Sequence, residues 1–159
     1  MSARMWAAAS LLAVVVSITF VSAQSNPGAQ TQTPSKQLMQ DIWNGWATLD
    51  TANVSRFYDK NANDTFFDVT PLEYKGWSAY ESGVKNVLAQ WQTMKATVND
   101  DAAVRANGDL YWGTATVHLD IAPKQGNPMA LDVRWTALWQ KRGKQWLIVH
   151  EHVSAPLQQ

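Results

Sequence analysis

The spacing of hydrophobic positions changes along the chain, and the changes mark its elements. Leu38, Ile42, Trp46 and Leu49 recur at helical spacing, with Met39 and Trp43 widening the stripe, which predicts a first helix over 36–49. Ser35 before it is a suitable N-cap. Asp50 or Thr51 opens a short second helix to about Tyr58, with Val54, Phe57 and Tyr58 as its apolar face. A polar turn over 59–64 leads to a short strand, Thr65–Val69, which Thr70-Pro71 breaks. Trp77, Tyr80, Val84, Val87, Trp91 and Met94 then fall three and four apart and predict the longest helix, over 77–94. Gly83 inside it costs stability unless something packs close against it.

Beyond that helix the period falls to two. Residues 96–106 read as a strand or strand pair, Asn107-Gly108-Asp109 as a hairpin turn, and Leu110–Ala122 as a long strand. On that strand Tyr111, Gly113, Ala115, Val117 and Leu119 share one face, and Trp112, Thr114, Thr116, His118 and Asp120 the other. After a loop over 123–128 come two closing strands, Leu131–Gln140 and Gln145–Ser154, joined by a turn containing Gly143. Strict alternation puts Trp146, Ile148, His150, His152 and Ser154 on one face of the last strand and Leu147, Val149, Glu151 and Val153 on the other. Its partner carries Asp132, Arg134, Thr136 and Leu138 opposite Val133, Trp135, Ala137 and Trp139. A face that turns polar at one end with Arg134, His150 and His152 reads either as the mouth of a cavity or as a solvated strand end. Helices followed by a strand meander give an α+β plan. The expected form is a cone-shaped, curved antiparallel sheet wrapped around the long helix, with N-terminal helices and a hollow inside. No second domain or internal repeat is visible.

Residues 1–23 follow another logic. One positive charge, Arg4, precedes an apolar run over 7–21 and a small-x-small site, Val21-Ser22-Ala23. That pattern reads as a secretory signal peptide, a retained anchor being the other reading. Residues 24–34, rich in Gln, Thr, Ser, Asn and Pro, read as a disordered leader, and 35–157 as the domain. The expected location is the periplasm or the extracellular space, with no membrane association once the signal is cleaved.

Thirteen basic residues balance thirteen acidic ones, and losing Arg4 with the signal leaves about one negative charge. Such a chain has no basic surplus for nucleic acid. It has no Cys, which removes thiol catalysis, Cys-ligated metal and disulfides. Nine Trp suit both a core and the wall of a ligand pocket.

The elements Arg134-Trp-Thr, Gly143-Lys-Gln-Trp146 and His150-Glu-His-Val-Ser-Ala-Pro156 resemble the closing hairpin of SnoaL-like domains, in the superfamily of nuclear transport factor 2 and ketosteroid isomerase. The Trp146-x-x-x-His150-x-His152 spacing is also similar to the end of the calmodulin-dependent kinase association domain. The resemblance covers roughly 36–156 and implies the curved-sheet fold, a small apolar ligand and a homodimer through the sheet. Apolar residues on the strand faces, such as Trp135 and Trp139, agree with the dimer. It implies no particular function, because this fold hosts enzymes, binders and assembly modules.

The order Tyr58-Asp59, apolar strand, Asp68, loop, Gly76, helix resembles the steroid isomerases, in which the Asp at this point shuttles a proton. Partial desolvation raises such a carboxyl towards neutrality. Asp68 is therefore the candidate base, or else a cap for the next turn or a partner for Arg134. The isomerases also take a Tyr from the first helix and a protonated acid as an oxyanion hole. Here the first helix offers only Trp43 and Trp46, Tyr58 is the nearest substitute, and Asp132 is a loose match for the acid. Arg134 and His150 are candidates for orienting a ligand oxygen. Tyr58, Trp77, Tyr80, Trp112, His118, Asp132 and His152 are candidate pocket residues. No metal and no cofactor is expected. Two functions fit: a pocket protein that binds, isomerises or cyclises an apolar carbonyl compound, or a non-catalytic assembly or partner-binding module.

Overall fold

The computed structural model describes residues 32–157. The signal segment 1–23, and the leader as far as residue 31, lie outside them.

Helix α1, Lys36–Ala47, begins where the Ser35 side chain accepts from the Leu38 amide at 3.2 Å. It buries the expected stripe Leu38, Met39, Ile42, Trp43 and Trp46. It stops short of residue 49 because Leu49 takes a left-handed conformation, φ 61°, which cannot continue a right-handed helix. The expected second helix is two single 3-10 turns, Thr51–Asn53 and Ser55–Phe57, the first capped by Asp50. Strands β1, Thr65–Phe67, and β2, Tyr74–Lys75, form a small antiparallel pair before helix α2, Gly76–Leu88.

Helix α2 is shorter than its periodicity suggests. Trp91 and Met94 belong instead to strand β3, Trp91–Val98. Met94, Ala96 and Val98 are buried in alternation and lie opposite Ile121, Leu119 and Val117, so the two-residue period governs this segment. Gly83 has the packing partner its position requires: a Cβ there would overlap the Tyr74 ring.

Strand β4, Ala103–Asn107, turns tightly into β5, Leu110–Pro123, and β6, Met129–Arg142, pairs along nearly all of it. Strand β7, Gln145–Ser154, returns from the Gly143 turn, where φ is 61°. The spatial order is β2-β1-β7-β6-β5-β3, with β4 also on β5. The sheet is mixed, because β1 runs parallel to β7. It is curved and unclosed, and its concave face holds α1 and α2.

The β6–β7 register decides what faces inward. Leu138 lies opposite His150, but Trp139 lies opposite Ile148, so Val149 is an extra residue at a bulge. The bulge shifts the alternation by one. Ile148, Glu151 and Val153 consequently share the inner face with Val133, Trp135, Ala137 and Trp139, all of them buried. This corrects the simple alternation that set Ile148 beside His150 and His152. Trp135 and Trp139 lie wholly inside the protomer and offer no surface to a second copy.

Candidate functional site

The hollow between the two helices and the sheet is a cavity of about 230 Å³. Trp43 and Trp46 of α1, Tyr80, Val84 and Leu88 of α2, and Leu119, Val133 and Val153 of the sheet belong to its wall. Two carboxyl groups interrupt this apolar lining, Asp68 and Glu151.

Glu151 is 1% exposed and faces inward because it lies opposite Ala137, between Trp135 and Trp139 on the inner face of β6. Three side chains serve it. The Tyr58 hydroxyl lies 3.1 and 2.9 Å from its two oxygens, the Trp135 indole N–H donates to Oε2 at 2.9 Å, and Tyr80 donates to Oε1 through a short contact. The Trp46 indole N–H in turn donates to the Tyr58 oxygen at 3.1 Å. Burial pushes the Glu151 carboxyl up to about 7, the charge of Asp68 pushes the same way, and the three donors oppose them. Near neutral pH the group therefore exchanges between acid and carboxylate at little cost. Burial, with the Glu151 charge second, holds Tyr58 and Tyr80 well above the ordinary phenol value, so both remain donors.

Asp68 immediately follows β1 and belongs to the cavity wall. Its Oδ1 accepts from the Val69 amide at 2.7 Å, and burial raises its carboxyl against that bond. An unpaired, partly desolvated carboxyl of this kind can accept a proton from carbon or oxygen.

The other sequence candidates are dispersed. Tyr80 lines the cavity, while Tyr58 and Trp77 lie behind it, their rings 4.6 Å apart at the centroids. Arg134 and Asp132 are exposed on the outer face of β6, and His118 on β5 joins Asp132 there at 2.7 Å and Asp120 at 3.4 Å. The Asp132 bond, first among the causes, raises the His118 ring above its ordinary value. His150 sits 2.7 Å from the Thr65 carbonyl and packs edge-on to Phe67, as does the exposed His152. Trp112 is on the outer side of β5, opposite Arg105 and Leu138. The mouth expected from Arg134, His150 and His152 is thus the convex face of the sheet, because the inner face of β6 is the Val133–Trp139 set. Glu151, which the sequence placed only on a strand face with Leu147, Val149 and Val153, takes the central position. Its signal was its place two residues before Val153, a lone acid on an otherwise apolar strand face. Among the described residues no three His, Cys, Asp or Glu side chains are gathered as a metal ion would need.

Residues 36–158 match the family model of the SnoaL-like domain. The chain belongs to the SnoaL-like family. Solved structures with the same fold include a nuclear transport factor 2-like superfamily protein from Salmonella enterica, 18% identical, with a TM-score of 0.65 over 77% of this chain and 92% of that one. A Novosphingobium aromaticivorans protein provisionally named a scytalone dehydratase is 8% identical, with a TM-score of 0.67 over 77% and 81%. A Xanthomonas campestris protein provisionally named a calcium/calmodulin dependent protein kinase II association domain is 20% identical, with a TM-score of 0.65 over 77% and 85%. A search of curated proteins finds no match. At these identities the structural likeness speaks to the fold alone, and the fold does not fix the function.

Proposed function

We propose that this SnoaL-like protein binds a small apolar carbonyl compound and isomerises or cyclises it by proton transfer. The observation that carries this reading is the presence of two carboxyl groups, both raised by burial, in one Trp-walled cavity. Asp68 is the base: among the described residues it has no cation to hold it ionised, and it is half-buried at the cavity edge. Tyr80 meets the ligand oxygen: when Glu151 is protonated and donates to the Tyr80 oxygen, the single Tyr80 O–H is free to turn from Glu151 to the ligand. Arg134 and His150, facing away, have no part in the step. One provisional dehydratase among the solved relatives agrees with proton-transfer chemistry on this fold. Export through residues 1–23 and a homodimer through the sheet belong to the same proposal.

The test is Asp68→Asn. Turnover of a substrate, identified by native mass spectrometry of the purified protein, disappears while the melting temperature stays nearly unchanged. Undiminished turnover removes Asp68 from the mechanism.

The second reading is a non-catalytic assembly or partner-binding module. Its support is the apolar exposure of Leu72 and Met129, together with the provisional kinase association domain among the relatives. A cavity that never retains a small molecule, in a protein that purifies as a defined oligomer, favours this reading.

A further inference from the structure

The charge of the cavity wall constrains its ligand more than its size does. Among the described residues two carboxyl groups line it, and no lysine, arginine or histidine does. Glu151 is satisfied from within by Tyr58, Tyr80 and Trp135. Asp68 is not. Its one hydrogen bond comes from the Val69 amide at 2.7 Å, and it takes part in none of the ion pairs among the described residues.

An ionised carboxyl in a poorly hydrated recess carries a desolvation cost that a fixed counter-ion would offset. Among the described residues none is supplied, so once Asp68 is ionised a ligand that brings its own positive charge offsets that cost. The rest of the wall suits a cation with an apolar body. The indole rings of Trp43, Trp46 and Trp91 and the thioether of Met94 are polarisable and attract positive charge. At about 230 Å³ the cavity exceeds the roughly 150 Å³ void that takes a benzene ring, which leaves room for one or two rings. A ligand carboxylate or phosphate would meet Asp68 and Glu151 with nothing to neutralise it.

We propose that the cavity binds lipophilic ammonium ions of one- or two-ring size, with Asp68 as their counter-ion. This requires the cavity and an ionised Asp68 but no turnover, so it stands apart from the proton-transfer reading. If both hold, such amines compete with the carbonyl compound for the site.

The experiment is isothermal titration calorimetry of the purified protein at about pH 8, where a primary alkylamine is still charged and a carboxyl has ionised. Three probes of matched shape are compared: naphthylmethylamine, naphthylmethanol and naphthoate. The amine is expected to bind at least about tenfold more tightly than the alcohol, and the naphthoate not to bind. In Asp68→Asn the amine falls to the affinity of the alcohol, whose own binding is unchanged. An alcohol that binds as tightly as the amine overturns the proposal, as does an amine that fails to bind or that keeps its affinity in Asp68→Asn. The comparison in the unmutated protein stands even if the variant folds poorly. Loss of turnover in Asp68→Asn without amine selectivity would leave the base intact and remove only the ammonium site; amine selectivity with full turnover would do the reverse.

Discussion

The Tyr80 hydroxyl donates to Oε1 of Glu151, joining helix α2 to strand β7 across 71 residues of chain. The contact closes a buried polar cluster in which Trp46 donates to Tyr58, and Tyr58 and Trp135 donate to the same carboxyl. Every member is apolar in body and polar at one atom, which lets an acid sit under an aromatic core. Networks of this kind are stable only when fully partnered.

Burial raises Glu151 from an ordinary 4.5 to about 7 in the folded protein. The fold therefore binds this proton more tightly than the unfolded chain does. The stabilisation is complete below about 4.5 and is lost as pH rises through about 7. Relative to Glu151→Gln, whose side chain does not ionise, the native protein should lose about 3 kcal/mol between those limits. Denaturant unfolding of both proteins at acid and mildly alkaline pH measures the difference, and parallel pH profiles would remove the buried titration.

Trp135→Phe keeps an aromatic ring on β6 but deletes the N–H that lies 2.9 Å from Glu151 Oε2. The loss falls on the ionised form, which needs that donor, so the variant should be destabilised by about 1–3 kcal/mol above neutral pH and by less in acid. The midpoint of the Glu151 titration should move further up.

Gly83→Ala should fail where helix propensity alone promises a gain of about 1 kcal/mol. The new methyl group would overlap the Tyr74 ring, so α2 must shift or the ring must leave. The melting temperature is expected to fall, and a rise would show that Tyr74 yields without cost.

Most of the fold was legible because the hydrophobic period identifies elements directly. The α1 stripe, the β5 faces and the last strand, Gln145–Ser154, were all read from spacing. The end of α2 was not, because Trp91 and Met94 continue the helical spacing of three and four, and only pairing with β5, irregular between Trp91 and Thr93, places them on a strand. The site was legible in part. Asp68 stood out as an acid ending an apolar strand, and Tyr80 as part of a helix stripe. Glu151 was obscured because one extra residue, Val149, moves Ile148 to its side of the strand, and a bulge leaves no mark in composition. Arg134 and the histidines drew attention through their chemistry, whereas the face they occupy is set by register alone.

The central claim is that Asp68 and Glu151 share one poorly hydrated recess and feel each other's charge. A carbon-13 NMR titration of the carboxyl groups in the native protein and in Asp68→Asn tests it most directly. The account predicts a Glu151 midpoint near 7 in the native protein and a lower one once the Asp68 charge is removed. A Glu151 midpoint in the ordinary carboxylate range, unmoved by Asp68→Asn, would contradict it.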